Sequence, residues 1–375
     1  MIIINENANL ISKGANTIPG RQGGSSEPPP SYQATGGPIP PQPPTEIYVV
    51  RQDLSYRKSP GVWKGEFPVP TNIALSHCPS NEEWTPSPPD YTSDYRYPYA
   101  SSASFELPLS HKTLFFMSRG SQTGGILNMV TSREKSDVAK VHVTVKYHNK
   151  YVRDEGVKVC LIKRSEDEIG VGFFTRQWYG PDHGIYYEAT VVLPESGKLD
   201  RPLHIENFET DVPNTVHKIG ALRVDVGVHN DQKYVSDLVM RTSNGKIDSR
   251  VSLTSPYEGG RYLVTAASSN GPVTVRFPTS PLDSVLKLSA STSNSPAFVS
   301  LDPAYEGSLA LSTSNFSPLL QRRNTKDPAG KGRTRHIKVN SYGRSVLKGS
   351  VSWSGWDGSG TVEVNSSNSP VTLEI

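Results

Sequence analysis

The sequence predicts an all-β fold, a single β-solenoid behind a Pro-rich tail. Three observations carry that expectation. Five similar phrases punctuate the C-terminal third, alternating apolar and polar runs flank each of them, and no window shows a 3.6-residue stripe.

The phrases are Thr242-Ser243-Asn244-Gly245, Ser268-Ser269-Asn270-Gly271, Thr292-Ser293-Asn294-Ser295, Thr313-Ser314-Asn315-Phe316 and Ser366-Ser367-Asn368-Ser369. With a weaker copy at Asn340, their asparagines recur every 21 to 28 residues, a spacing that marks stacked repeats. Leu263-Val264-Thr265-Ala266-Ala267 precedes one phrase and Val273-Thr274-Val275-Arg276-Phe277 follows it. Period-two alternation is a half-buried strand. Asn followed by Gly tolerates a left-handed backbone. Asn244, Gly245, Asn270, Gly271, Asn294, Asn315 and Asn368 are therefore the expected turn residues of a strand–corner–strand unit. Stacked units bury what one cannot, and equivalent asparagines can hydrogen-bond in a ladder along the stack. The alternative is a β-sandwich whose Ser/Asn hairpins look alike by turn chemistry alone.

In chain order, residues 1–98 read as a disordered tail, with about half of the 31 prolines and only short apolar runs. Residues 99–375 read as the β domain. Phe105–Leu109, Thr113–Met117, Ile126–Val130, Val138–Val145, Val157–Ile162, Ile169–Phe173, Ile185–Leu193 and Leu222–Val226 are strand-like. Tyr257-Glu258-Gly259 returns as Tyr305-Glu306-Gly307 about two periods later.

These corners, the Tyr-Glu-Gly pair, Val351-Ser352-Trp353 and the closing Ser366–Leu373 resemble a group of uncharacterised fungal proteins. Their C-terminal domain is similar to a "putative adhesin" domain of unknown function. The resemblance covers roughly Phe105 to Ile375 and implies a β-solenoid on repeated T-S-N-G turns. It implies no activity. The basic insert after Leu320 departs from the simplest pattern.

Composition sets further bounds. A net charge of +3 on 375 residues makes no global case for nucleic acid. No apolar run reaches the roughly 18 residues of a membrane helix, and Asn5-Glu6-Asn7 interrupts the opening isoleucines, unlike a signal peptide. The two cysteines, Cys78 and Cys160, fall in tail and strand, so no disulfide is expected. A cytoplasmic or nuclear chain follows.

For chemistry, the tail offers Pro29-Pro30-Ser31-Tyr32 and Pro88-Pro89-Asp90-Tyr91. Pro29, Pro30, Tyr32, Pro88, Pro89 and Tyr91 form Pro-Pro-x-Tyr motifs of the kind WW domains clamp, such as those of ubiquitin ligases. Arg322, Arg323, Lys331, Arg333 and Arg335 form a possible anion-binding loop. Asp283, Asp302 and Asp357 lie apart, without the paired carboxylates of a polysaccharide hydrolase. The histidines are scattered, no Cys/His spacing suits zinc, and neither a nucleophile elbow nor a phosphate loop is present. The expectation is a non-catalytic binding or scaffold protein without cofactor or metal. The rival is a carbohydrate-binding or carbohydrate-active β-helix protein at the cell surface.

Overall fold

The computed structural model describes residues 62–91, 96–121, 123–179, 184–196, 205–225, 228–229, 232–233, 235–255, 259–353 and 358–375. Almost all of its regular structure is strand, in two large sheets of 12 and 11 strands among the described residues. A short helix, Lys150–Gly156, starts at Asn149, whose side chain accepts from the Val152 amide at 3.0 Å.

Through the middle of the molecule the chain alternates between the sheets. One strand lies in the first sheet, a corner follows, and the next strand lies in the second. In stack order these rungs are Glu168–Thr175 with Ile185–Ser196, Thr113–Arg119 with Thr123–Lys135, and Asn207–Asp211 with Thr215–Asp225. Next come Val235–Thr242 with Ile247–Thr254, Arg261–Ser268 with Val273–Arg276, and Val285–Thr292 with Ala297–Ser300. The last two are Gly360–Ser366 with Val371–Glu374, then Gly307–Thr313 with Leu319–Gln321. Every neighbouring pair in this series is parallel.

In the first sheet this parallel register is unshifted, as a period-two pattern needs to keep one face inside. Ile169, Leu114, Phe208, Leu238, Val264, Leu288, Val362 and Leu309 thus stand in one buried column, one per rung. At the ends the pairing turns antiparallel. Ala74–His77 and Val157–Ser165 extend the first sheet, while Thr85–Ser87, Tyr99–Pro108 and Val138–Tyr147 extend the second. Val346–Ser352 and His336–Tyr342 extend the first sheet at the far end. The middle of the described molecule is thus a stack of parallel two-strand rungs, and its ends are antiparallel.

The rungs do not stack in chain order: Gly360–Glu374 sits between the rungs of residues 285–300 and 307–321. Three expectations need correction. The tail does not run to residue 98. Val62–Lys64 pairs with Gln177–Tyr179, and Phe67, Val69, Ile73 and Cys78 pack on Phe115, Met117, Ile162 and Phe174. Cys78 and Cys160 form a disulfide, where none was expected. The Asn340 copy forms no corner; it lies within the strand His336–Tyr342.

Candidate functional site

Each residue of the repeated phrase has its own task. The first, Thr or Ser, points inward. Thr242 Oγ1 donates to the Thr215 carbonyl (3.1 Å) on the preceding rung and accepts the Gly245 amide (3.1 Å). Ser268 donates to Gly245 (3.1 Å) and accepts from Gly271 (2.9 Å). Thr292 donates to Gly271 (3.2 Å), Ser366 to Ser295 (3.2 Å) and Thr313 to Ser369 (2.9 Å). Buried corner carbonyls are thereby satisfied where no strand ladder reaches them.

The asparagines form a ladder. Asn270 Nδ2 donates to Asn244 Oδ1 (2.5 Å), Asn294 to Asn270 (2.7 Å), Asn368 to Asn294 (2.8 Å) and Asn315 to Asn368 (3.2 Å). Asn244 donates to a sixth member, Asn214. Asn315 thus meets Asn368 and not Asn294, which follows from the inserted rung. Asn214 escaped the sequence pattern because its corner reads Val212-Pro213-Asn214-Thr215.

The left-handed backbone expected at the Asn-Gly corners is absent. Among the described non-glycine residues only Asn214 and Asp283 have positive φ, and neither Gly245 nor Gly271 does. Glycine serves close approach instead. A Cβ on Gly245 would lie 1.8 Å from the Thr215 carbonyl oxygen, and one on Gly271 1.8 Å from that of Gly245. Ser295 and Ser369 occupy the same place on later rungs, and each donates its hydroxyl to an asparagine carbonyl of the preceding rung.

The second residue of the phrase, serine every time, faces a groove. Ser243, Ser269, Ser293, Ser367 and Ser314 follow one another along its wall, one per rung. Arg241, Ala267, Ser291, Asn365 and Ser312 stand in register on the adjoining strands. The cavity holds about 910 Å³. Asp211 and Arg241 mark one end, Ser345 and Val346 the other. Asp211 is the one carboxylate among its described lining residues and is held by Arg119 at 2.5 Å. None of the five corner serine hydroxyls bonds to a described residue, whereas the asparagines beside them are tied to one another.

Behind this wall His217 is fully buried. Its Nε2 stands 2.7 Å from Thr210 Oγ1 and its Nδ1 3.2 Å from the Thr215 carbonyl. Nδ1 carries the proton, because only a donor suits that carbonyl. Burial without a carboxylate partner pushes its pKa down to about 4.

The other expected site residues lie elsewhere. In the basic insert, Asp327 accepts the Lys331 and Arg333 amides at 2.9 and 3.0 Å and the Arg333 guanidinium at 2.9 Å. That Arg333 contact holds the carboxyl far below its ordinary range. Arg333 also meets Glu306 (3.5 Å), and Arg333 and Arg335 lie over the Trp353 ring at 5.9 and 5.5 Å. Arg323 reaches Glu374 (3.4 Å) and the Leu301 carbonyl. Three of the five proposed anion-binding cations, Arg323, Arg333 and Arg335, are thus engaged in folding the insert. Arg322 and Lys331 stay exposed. Burial raises Asp302 above the usual carboxylate range.

Pro88, Pro89 and Tyr91 are exposed, and Tyr91 stands edge-on to Tyr99 with the hydroxyls 3.0 Å apart. Pro29, Pro30 and Tyr32 lie outside the described residues, as do His204 and Asp357. No group of three His, Cys, Asp or Glu is placed to hold a metal among the described residues.

Fold and groove together define an all-β repeat domain with a polar, rung-spaced surface cleft. Residues 222–375 match a family described as "Domain of unknown function (DUF7330)", which is less than half of the chain. No curated protein matches. Among solved structures, the chain is similar to a "putative cell adhesion protein" from Clostridium sporogenes ATCC 15579. Identity is 9%, coverage 73% of this chain and 99% of that one, and the TM-score 0.34. A "putative adhesin" from Bacteroides fragilis NCTC 9343 shows 8% identity over 73% of this chain and 96% of that one, with a TM-score of 0.25. One from Parabacteroides distasonis ATCC 8503 shows 8% identity over 74% and 97%, with a TM-score of 0.18. At these scores no argument passes from those proteins to this one.

Proposed function

We propose that the protein is a non-catalytic binding protein whose serine-walled groove takes an extended, neutral glycan. The observation that carries this reading is the row of five unbonded corner hydroxyls along one cavity. Parallel rungs repeat at about 4.8 Å, so the row offers one hydroxyl per step over roughly 19 Å. An extended β-linked pyranose chain advances by about one such step per sugar and presents hydroxyls throughout. A nucleic acid would require a basic groove, and a peptide would require apolar pockets; the lining supplies neither. Hydrolysis would need two carboxylates flanking the bond, and the lining contains one, Asp211.

The disulfide supports residence in an oxidising compartment, in place of the cytoplasm or nucleus. A surface or extracellular glycan is available there.

The test is an array of neutral glycans probed with the full chain and with a Ser269→Val, Ser293→Val double variant. Both serines are exposed, so folding should survive. We expect binding to extended β-linked polymers and at least a tenfold loss in the variant. Equal binding by both proteins, or none by the wild type, contradicts the reading. WW-domain recruitment through Tyr91 is a separate proposal, resting on its motif and exposure alone.

A further inference from the structure

The far end of the stack concentrates positive charge on an unfinished sheet. Residues 322–348 hold nine Lys and Arg and one acid, Asp327. That is a net +8, against +3 for the whole chain, so the remainder carries −5. Arg323, Arg333 and Arg335 are engaged internally. Arg322, Lys326, Lys331, Lys338, Arg344 and Lys348 are exposed and make no ion pair among the described residues.

In the same segment His336–Tyr342 is the outermost strand of its sheet. It pairs with Val346–Ser352 on one side and with no described strand on the other. Ile337, Val339 and Tyr342 lie opposite the buried Val351, Gly349 and Leu347, so they continue the core face. Ile337 still packs on the core, but the second sheet stops at Leu319–Gln321 and leaves the other two uncovered. Val339 is therefore 41% exposed and Tyr342 68%. A free edge with an uncovered apolar face is a template for one more strand.

We propose that this edge docks an acidic, extended protein segment, which adds as a further strand. Its carboxylates would lie beside Lys338 and Arg344, and its alternate apolar side chains would cover Val339 and Tyr342. Charge complementarity selects an acidic partner. The free main-chain edge and the apolar face select a peptide over a polyanionic glycan or nucleic acid, which can use neither. This site is independent of the serine groove.

The experiment uses the full chain and a fluorescein-labelled peptide of alternating glutamate and valine, about eight residues long, the length of an ordinary strand. A second peptide carries the same side chains but is N-methylated at alternate residues, which removes its ladder donors. We expect saturable binding of the first peptide at micromolar concentration. At least a tenfold loss is expected with the methylated peptide, and again with a Lys338→Glu, Arg344→Glu variant whose circular dichroism matches wild type. Equal binding of both peptides would reduce the edge to a polyanion patch and overturn the proposal. So would no binding of the first peptide, or undiminished binding by the variant. Undiminished binding of the first peptide in excess heparin supports it; full displacement together with insensitivity to methylation counts against it.

Discussion

Thr292 and Asn294 sit two residues apart in one corner and differ in what their loss leaves behind. Thr292 is buried and satisfies the Gly271 carbonyl. Thr292→Val keeps the shape but leaves that carbonyl unpaired, at a cost of about 1 to 3 kcal/mol. Asn294 makes two ladder bonds in an exposed row, where water can replace them. Asn294→Ala should cost about 1 kcal/mol or less, with no backbone strain released, since its φ is negative. Urea unfolding of the two variants checks the order; a costlier Asn294→Ala would refute it. His217 gives a second prediction. Its folded pKa, about 4, lies below the ordinary 6.5. The unfolded chain therefore binds the extra proton between those values, and stability falls as pH falls through that window. From pH 7 to pH 5 the loss from this one group is about 2 kcal/mol. In His217→Phe the difference between the two pH values should shrink by about that amount; an unchanged difference would exclude His217 as its source.

Residues 62–91 and 360–375 hold unexpected places. Phe67, Val69, Ile73 and Cys78 pack against Phe115, Met117, Ile162 and Phe174 of the first sheet, with Lys158 and Arg176 over the Phe67 ring at 4.8 and 4.7 Å, and Thr85–Ser87 joins the second sheet. The disulfide closes a separation of 82 residues. Reducing it should destabilise the domain by about 4 kcal/mol and uncover the apolar patch around Phe115 and Phe174, read as increased binding of an apolar dye. Limited proteolysis of the oxidised protein should leave a fragment holding both cysteines. A stable fragment beginning after Cys78 would show that the segment is not docked. Leu373 is fully buried on the strand next to the edge of the second sheet, so Leu373→Ala should cost about 2 to 5 kcal/mol, measured by denaturant unfolding. The repeated phrases made the corners legible because each needs an inward hydroxyl and a small outward residue. Stack order was not legible. A period fixes what a rung looks like and not which rung it joins, so the Gly360–Glu374 insertion and the 168–196 rung carry no local signal. Proline content marked residues 62–91 as tail, yet proline is equally suited to edge strands, and the partner of Cys78 is a matter of tertiary contact.

At the scale of the whole molecule, parallel rungs turn one short phrase into a surface. Inward Thr and Ser seal the corners, asparagines lock neighbouring rungs, and the serine between them is left available once per rung. Its place in the phrase was visible in the sequence. Its lack of an internal partner was not, because that depends on where the previous rung's carbonyls lie. If this row is the binding element, affinity must track the number of rungs a ligand spans. Titration of the full chain with neutral β-linked oligosaccharides of increasing length measures that directly. Affinity should climb with each added sugar until the chain covers the five serines from Ser243 to Ser314, and then level off. An affinity that is the same for a disaccharide as for a hexasaccharide would contradict the account.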